Sequence, residues 1–158
     1  MGYAHQRHYK GAPQTSPSVS IKNCIAQSLT KSDSLTVSGC VDQIMNLTGG
    51  DGKKVVGNTT QSSYRRLHEL IASALDYCVS QQRVDKVVLR LERAKVMIEY
   101  QSARGQVSPG IKEVLEAITD STKNALRGKG GGSVKEVCRY ARLLLDAVAV
   151  LVYRHGRK

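Results

Sequence analysis

Apolar side chains recur every three or four positions through most of the chain after residue 58, which is the period of a helix that buries one face. This pattern predicts four helices, over residues 59–81, 83–104, 109–126 and 134–154. Signals at the expected ends agree with it. Ser108 followed by Pro109 and the capping box that begins at Ser133 are typical helix starts, and Gly105 is a typical helix end.

The first 57 residues carry weaker patterns. Residues 1–20 are rich in Ser, Thr, Gln, His, Gly and Pro without a sustained apolar period, so they predict a flexible N-terminal arm. Residues 21–57 contain two weaker amphipathic pieces, and the glycine-rich run of residues 49–52 is expected to end them as a loop. Residues 58–158 are expected to form the main helical domain. For the whole chain, the sequence predicts an all-α helical bundle of about four to six helices.

Composition narrows the class of protein. The chain has no Trp, no Phe and seven Tyr, so the core must be aliphatic. No apolar run approaches the roughly 18–20 residues of a membrane span, and residues 1–8 lack the apolar segment of a secretory signal, so we expect a cytoplasmic protein without membrane contact.

The four cysteines are spaced singly, which favours reduced core thiols over a zinc site or a disulfide framework. They are Cys24, Cys40, Cys78 and Cys138.

Catalytic patterns are weak. His68 stands alone among the strong helices, and the adjacent Glu69 projects about 100° away from it, so the two are not a ready general-base pair. Glu92 and Glu99 are expected to form ordinary ion pairs on their own helix, such as Glu99 with Lys95. The sequence therefore predicts no enzyme, no metal and no cofactor, and a small enzyme that uses His68 is the alternative.

The charge points to a polyanionic partner. Lys and Arg number 24 against 13 Asp and Glu, and of the net +11 the part from residues 58–158 is +8. One side of the second strong helix, away from its apolar stripe, carries Arg83, Lys86, Arg90, Arg93 and Arg104. The last helix has cations off its apolar face at Lys135, Arg139 and Arg142. Solvated helix surfaces also carry such residues, but the surplus of arginine favours phosphate binding. Because aromatic residues are few and scattered, contact with the nucleic-acid backbone is expected rather than base reading.

Three segments carry a resemblance to a known family. Residues 58–65 resemble a Thr-Thr-Ser-Gln-Ile-Arg helix start, residues 100–104 resemble a Tyr-x-x-x-Arg helix end, and residues 146–155 resemble a C-terminal Glu-Ala-x-x-Ala-Tyr-His-Lys stretch. In their order and spacing, residues 58–158 resemble the small all-helical subunit of type III CRISPR–Cas effector complexes, specifically that of the type III-A (Csm) complex. The resemblance covers about two thirds of the chain.

The resemblance implies a non-catalytic subunit in antiviral defence. Copies of such subunits stack on one another, contact the large polymerase-like subunit and the guide-bearing backbone subunits, and line the channel that holds the guide RNA and the target RNA. By position, Arg65 or Arg66 and Arg104 would face target RNA phosphates, with Arg154 as a further candidate. With the cations on helix faces, the predicted RNA-binding set is Arg65, Arg66, Lys86, Arg90, Arg93, Arg104, Arg139, Arg142 and Arg154. The alternatives are a small subunit of another effector subtype and a sequence-specific helical DNA-binding regulator.

Overall fold

The computed structural model describes residues 16–129 and 131–158, which form a helical bundle. The seven α-helices of this part of the chain are α1 (Pro17–Lys31), α2 (Ser34–Met45), α3 (Gly49–Val56), α4 (Gln61–Gln81), α5 (Val84–Ala103), α6 (Pro109–Asn124) and α7 (Val134–His155). The segment Ala125–Lys129 follows α6 directly and contains a kink at Gly128, whose φ is +86°. The predicted all-α bundle is confirmed. None of these helices is both long and apolar enough to pass through a membrane.

The four strong sequence patterns correspond to α4, α5, α6 and α7. The side-chain oxygens of Thr60, Ser108 and Ser133 each accept a hydrogen bond from the backbone amide three residues on, at 3.3, 3.2 and 3.1 Å. Each oxygen satisfies an amide that has no partner within the first helical turn. Gly105 follows α5 with a φ of +73°, a conformation that glycine adopts without steric cost.

The N-terminal region is more ordered than the sequence pattern indicated. Helix α1 begins at Pro17, so the predicted boundary of a flexible arm at residue 20 is wrong, and residues 1–15 lie outside the described residues. The Ser16 side chain accepts a hydrogen bond from the Val19 amide at 3.3 Å, and proline occupies the first helical position. This is the same Ser-Pro start that begins α6, and proline loses nothing there because that amide has no partner within the helix.

The glycine-rich run 49–52 forms the start of α3, so the loop expected there is wrong and the helix count rises to seven in the described residues. Close packing explains why a helix with so little intrinsic propensity forms here. A Cβ on Gly52 would overlap the imidazole of His155 in α7, and a Cβ on Gly110 in α6 would overlap the carbonyl oxygen of Val55. Glycine therefore lets three helices approach one another closely.

One aliphatic core joins all seven helices. Helix α7 packs against α4, α2, α6, α3 and α1, which makes it the central element of the bundle. In α1 the side chains of Ile21, Ile25 and Leu29 are fully buried in the same cluster as the core residues of α4 and α7. Residues 17–56 are therefore part of the bundle rather than a weakly helical extension.

Two disulfide bonds cross-link the bundle, so the prediction of four reduced thiols is wrong. Cys24 of α1 is bonded to Cys40 of α2 with 5.4 Å between their Cα atoms, and Cys78 of α4 is bonded to Cys138 of α7 with 6.2 Å between theirs. These separations are ordinary for bonded cysteines. The partners are 16 and 60 residues apart in sequence, and helix packing alone brings them together.

Candidate nucleic-acid interface

The three segments that carry the family resemblance meet at one end of the bundle. The Thr60 amide, just before α4, donates a hydrogen bond to the carbonyl oxygen of Gln106 after α5, at 3.2 Å. The Gln61 amide donates to the carbonyl oxygen of Arg157 after α7, at 2.7 Å, and the Arg157 amide donates to that of Thr59 at 2.9 Å. Backbone hydrogen bonds therefore hold together the start of α4 and the ends of α5 and α7.

Five exposed arginines lie in these segments or within two residues of them, and we call this surface the basic end. They are Arg65, Arg66, Arg104, Arg154 and Arg157. In the described part of the chain no carboxylate forms a salt bridge with any of them. The positive charge at this end is therefore available to an external anion.

Two tyrosines lie among these arginines. The neighbouring Tyr153 side chain raises the pKa of the Arg65 guanidinium above its already high ordinary value. The Cζ atom of Arg104 lies 5.5 Å from the ring centroid of Tyr100, within the range of a cation–π contact. Tyr100 and Tyr153 are 54% and 44% exposed. The pairing of Tyr100 with Arg104 is local, whereas the proximity of Tyr153 to Arg65 depends on the packing of α7 against α4.

Arg154 has a structural contact as well as an exposed side chain. Its Nη1 atom donates a hydrogen bond to the carbonyl oxygen of Met45, the last residue of α2. That carbonyl lies at a helix C-terminus, where the backbone carries partial negative charge. Arg157 was missed by sequence reasoning, because it lies beyond the last helical turn where no periodic pattern extends.

The predicted cations of α5 are exposed but lie away from the basic end. Arg90 is 14 positions before Arg104, which corresponds to about 21 Å along a helix. Its Cζ atom lies 3.8 Å from the ring centroid of Tyr77 of α4, and it lines a groove between these helices together with Arg93. Lys86, Arg90 and Arg93 share the outer surface of α5 with exposed Leu89 and Val96. This surface is mixed apolar and basic rather than a plain phosphate-binding ridge.

Two RNA-binding residues were predicted in the first half of α7, and their surroundings differ. Arg139 is exposed, about 22 Å along the helix from Arg154. Arg142 is half-buried, with Nε 3.1 Å from Oδ1 of Asp76 and Nη1 paired with Asp146. Two carboxylates within the protein therefore already neutralise the Arg142 guanidinium.

His68 has an acidic neighbour that its sequence context did not show. Its Nε2 atom lies 3.3 Å from Oδ1 of Asp146, 78 residues away in sequence. Asp146 also pairs with Arg142, so one carboxylate is shared between a histidine of α4 and an arginine of α7. This network ties the two helices together where they pack.

Glu92 and Glu99 of α5 pair with lysines of α6, and Lys95 of α5 pairs with an acid of α6, so the ion pair predicted between Lys95 and Glu99 of the same helix is wrong. Lys95 Nζ lies 3.1 Å from Oδ1 of Asp120, Lys112 Nζ lies 3.2 Å from Oε2 of Glu99, and Lys123 Nζ contacts Glu92. The hydrogen bond from Lys123 lowers the pKa of Glu92. Glu92 and Glu99 are therefore matched by cations of the neighbouring helix.

No family model, curated protein or solved structure matches this chain. The interpretation of the basic end therefore rests on its residues and on the sequence resemblance. Chemically, guanidinium groups from three helix ends can donate paired hydrogen bonds to phosphate oxygens. Backbone hydrogen bonds join those helix ends, so the backbone positions that carry these arginines are held together before any ligand binds.

Proposed function

We propose that the protein is a non-catalytic RNA-binding subunit that holds an RNA phosphate backbone at its basic end. The observation that carries the proposal is the convergence of three separate segments, around Arg65, Arg104 and Arg154, on one end of the bundle. The same three segments carry the resemblance to type III effector small subunits.

The electrostatics of this surface support binding to a polyanion. Arginine forks pair with phosphate oxygens in two parallel hydrogen bonds, and those at the basic end have no carboxylate partner among the described residues. Each phosphate contact releases condensed counterions, so affinity should fall steeply with salt. Lys86, Arg90, Arg93, Arg139 and Arg142 lie elsewhere and stay predictions of additional contacts.

In its finer form, the proposal is the small subunit of a type III-A CRISPR–Cas effector complex. The protein would stack in copies, contact the large polymerase-like subunit and the guide-bearing backbone subunits, and bind target RNA paired with guide RNA in antiviral defence. The resemblance over residues 58–158 and the helical fold support it. The proposed location is the cytoplasm.

The two disulfides bear on whether the protein works in the cytoplasm, because such bonds are uncommon in a reducing cytosol. Cys78 and Cys138 are both fully buried, which shields their bond from thiol reductants. Acid quenching of host cells followed by thiol alkylation and mass spectrometry would show whether the bonds persist. Four alkylated cysteines in the quenched sample would mean that the protein functions without them.

The RNA contact is tested by replacing Arg65, Arg66 and Arg104 together with alanine. RNA affinity should fall alike for unrelated sequences. The slope of log affinity against log salt should become shallower by roughly 0.7–0.9 for each phosphate that the variant no longer binds. A charge-matched control replaces three exposed cations at the opposite end of the bundle, Lys31, Arg83 and Arg127. Equal losses of affinity in the two triple variants would show general attraction to a basic protein and would contradict a defined site.

The assembly is tested by purifying the tagged protein from its native host. Co-purification of a guide RNA with large and backbone subunits is the expected result. Recovery with a different set of effector subunits would point to another subtype. Tight binding to one duplex DNA sequence, with weak binding to RNA, would instead support the alternative of a helical DNA-binding regulator.

A further inference from the structure

We infer that the outer surface of α5 docks an acidic amphipathic helix of a partner protein. We call this surface the α5 face. It consists of two exposed aliphatic side chains, Leu89 and Val96, and three exposed cations, Lys86, Arg90 and Arg93. The inference goes beyond the proposed function, because the α5 face lies away from the basic end and its ligand is a protein rather than RNA.

The aliphatic side chains of the α5 face have the spacing of a helix–helix contact. Leu89 and Val96 are 72% and 65% exposed and lie seven residues apart on one helix. Seven residues are about two helical turns, so both side chains lie on the same side of α5. Helices that pack lengthwise against one another repeat their apolar residues at this interval. The α5 face therefore supplies one half of such a contact, and no helix of the described residues covers it.

Helix α4 supplies the second wall of the docking groove. Ser73 and Ala74 of α4 line this groove together with Arg90 and Arg93 of α5, and their small side chains leave room for those of a docked helix. The Arg90 guanidinium lies 3.8 Å from the ring centroid of Tyr77. Stacking on the ring uses the flat face of the guanidinium. Its N–H groups lie in the guanidinium plane and can still donate to a carboxylate.

Charge determines the chemistry of the partner. In the described part of the chain, none of the three cations of the α5 face takes part in a salt bridge. The adjacent Glu92 is already paired with Lys123 of α6. An RNA backbone would neutralise the cations and leave the two aliphatic side chains in water, whereas an acidic amphipathic helix complements both. The RNA contacts predicted for these three cations are therefore reassigned to a protein partner.

The first test selects ligands from a displayed library of helical peptides of about 21 residues, which is three heptads. Aliphatic residues occupy the positions that repeat every seven residues, and the flanking positions vary among acidic, basic and neutral residues. Selection uses the full-length protein, with counter-selection against the Leu89→Ala/Val96→Ala variant. Peptides with Asp or Glu at the flanking positions should be enriched. Enrichment of basic or neutral flanks, or failure to find any peptide that distinguishes the two proteins, would overturn the inference.

Fluorescence anisotropy then measures binding of the enriched peptide. Val96→Ala should weaken it about 15-fold and Leu89→Ala about 60-fold, at about 0.8 kcal/mol for each buried carbon removed. Leu143→Ala removes an exposed leucine of α7 as the matched control and should leave binding unchanged. Circular dichroism checks the fold of each variant. Normal binding by both variants of the α5 face would mean that any acidic peptide is attracted, and the inference would be overturned.

Charge reversal tests the cations of the α5 face. Arg90→Glu/Arg93→Glu should abolish binding of the acidic peptide and create binding of the same peptide with lysine in place of its acids. Loss of the first without gain of the second would contradict ion pairing across the contact. Vesicles that contain phosphatidylserine serve as a further probe, since basic and apolar helix surfaces also bind anionic membranes. Vesicle binding that needs Leu89 and Val96, with no enriched acidic peptide, would overturn the choice of a protein partner.

The outcomes for this inference and for the proposed function are distinct. The triple arginine variant of the basic end should bind the peptide normally, and Leu89→Ala/Val96→Ala should bind RNA normally. Peptide binding that behaves as expected in a protein that does not bind RNA would overturn the proposed function alone. Peptide binding that is lost in the triple arginine variant would place the peptide at the basic end and overturn the α5 face as its site.

Discussion

The bond between Cys78 and Cys138 should be the strongest single constraint on this fold. It joins the last turn of α4 to the start of α7, the central helix, and both cysteines are fully buried. A disulfide stabilises a protein chiefly by removing conformations from the unfolded chain, and the effect grows with the length of the loop that it closes. The sequence separation of 60 residues corresponds to roughly 4 kcal/mol in that entropy model.

The perturbation is the double replacement of Cys78 and Cys138 by alanine, measured by urea denaturation under oxidising conditions. With a denaturant dependence of about 2 kcal/mol per molar urea, a destabilisation of about 4 kcal/mol lowers the midpoint by about 2 M. Domains have total stabilities of only about 5–15 kcal/mol, so this change is a large part of the whole. The bond between Cys24 and Cys40 spans 16 residues, and the same double replacement there should cost less, roughly 3 kcal/mol.

A reductant separates the cross-link from the packing of the side chains. In dithiothreitol the wild-type protein should lose most of its extra stability over the Cys78→Ala/Cys138→Ala variant, because neither chain then has the cross-link. The more accessible bond should be reduced first, and that is the one containing half-buried Cys24. If the two proteins differ by the same amount with and without reductant, the destabilisation comes from a packing defect and the loop-entropy reasoning is refuted.

Four other substitutions test the packing and the charge network. Gly110→Ala would push a methyl group into a backbone carbonyl oxygen and should cost about 1–3 kcal/mol in urea denaturation, whereas Gly39→Ala, in open space within α2, should add about 0.5–1 kcal/mol. The Tyr64 hydroxyl is buried without a partner in the described residues, so Tyr64→Phe should preserve or raise stability by up to about 1 kcal/mol, and a clear decrease would reveal a missing hydrogen bond. Lys123 lowers the pKa of Glu92, and a lowered carboxyl pKa adds stability that is lost as pH falls through it. Lys123→Met should therefore raise the pKa of Glu92 in a carboxyl NMR titration, and its stability deficit should shrink in acid.

The candidate site was predictable in part. The family resemblance pointed to Arg65 or Arg66 and to Arg104, and all three are exposed at the basic end. Helical periodicity placed Arg142 off the apolar face, which it is, yet could not show that Asp76 and Asp146 pair with its guanidinium. A helical wheel describes one helix, whereas an ion pair depends on what the neighbouring helix presents.

Local features of this protein follow from the amino-acid sequence. The period of apolar residues and the capping signals at Ser108 and Ser133 set the positions of α4 to α7, because both act between residues three or four positions apart. Packing between helices accounts for the rest. The glycine-rich run becomes α3 because contact with α7 outweighs its weak propensity. The two disulfides, and the proximity of Tyr153 to Arg65, likewise depend on packing that brings together residues that no local pattern relates.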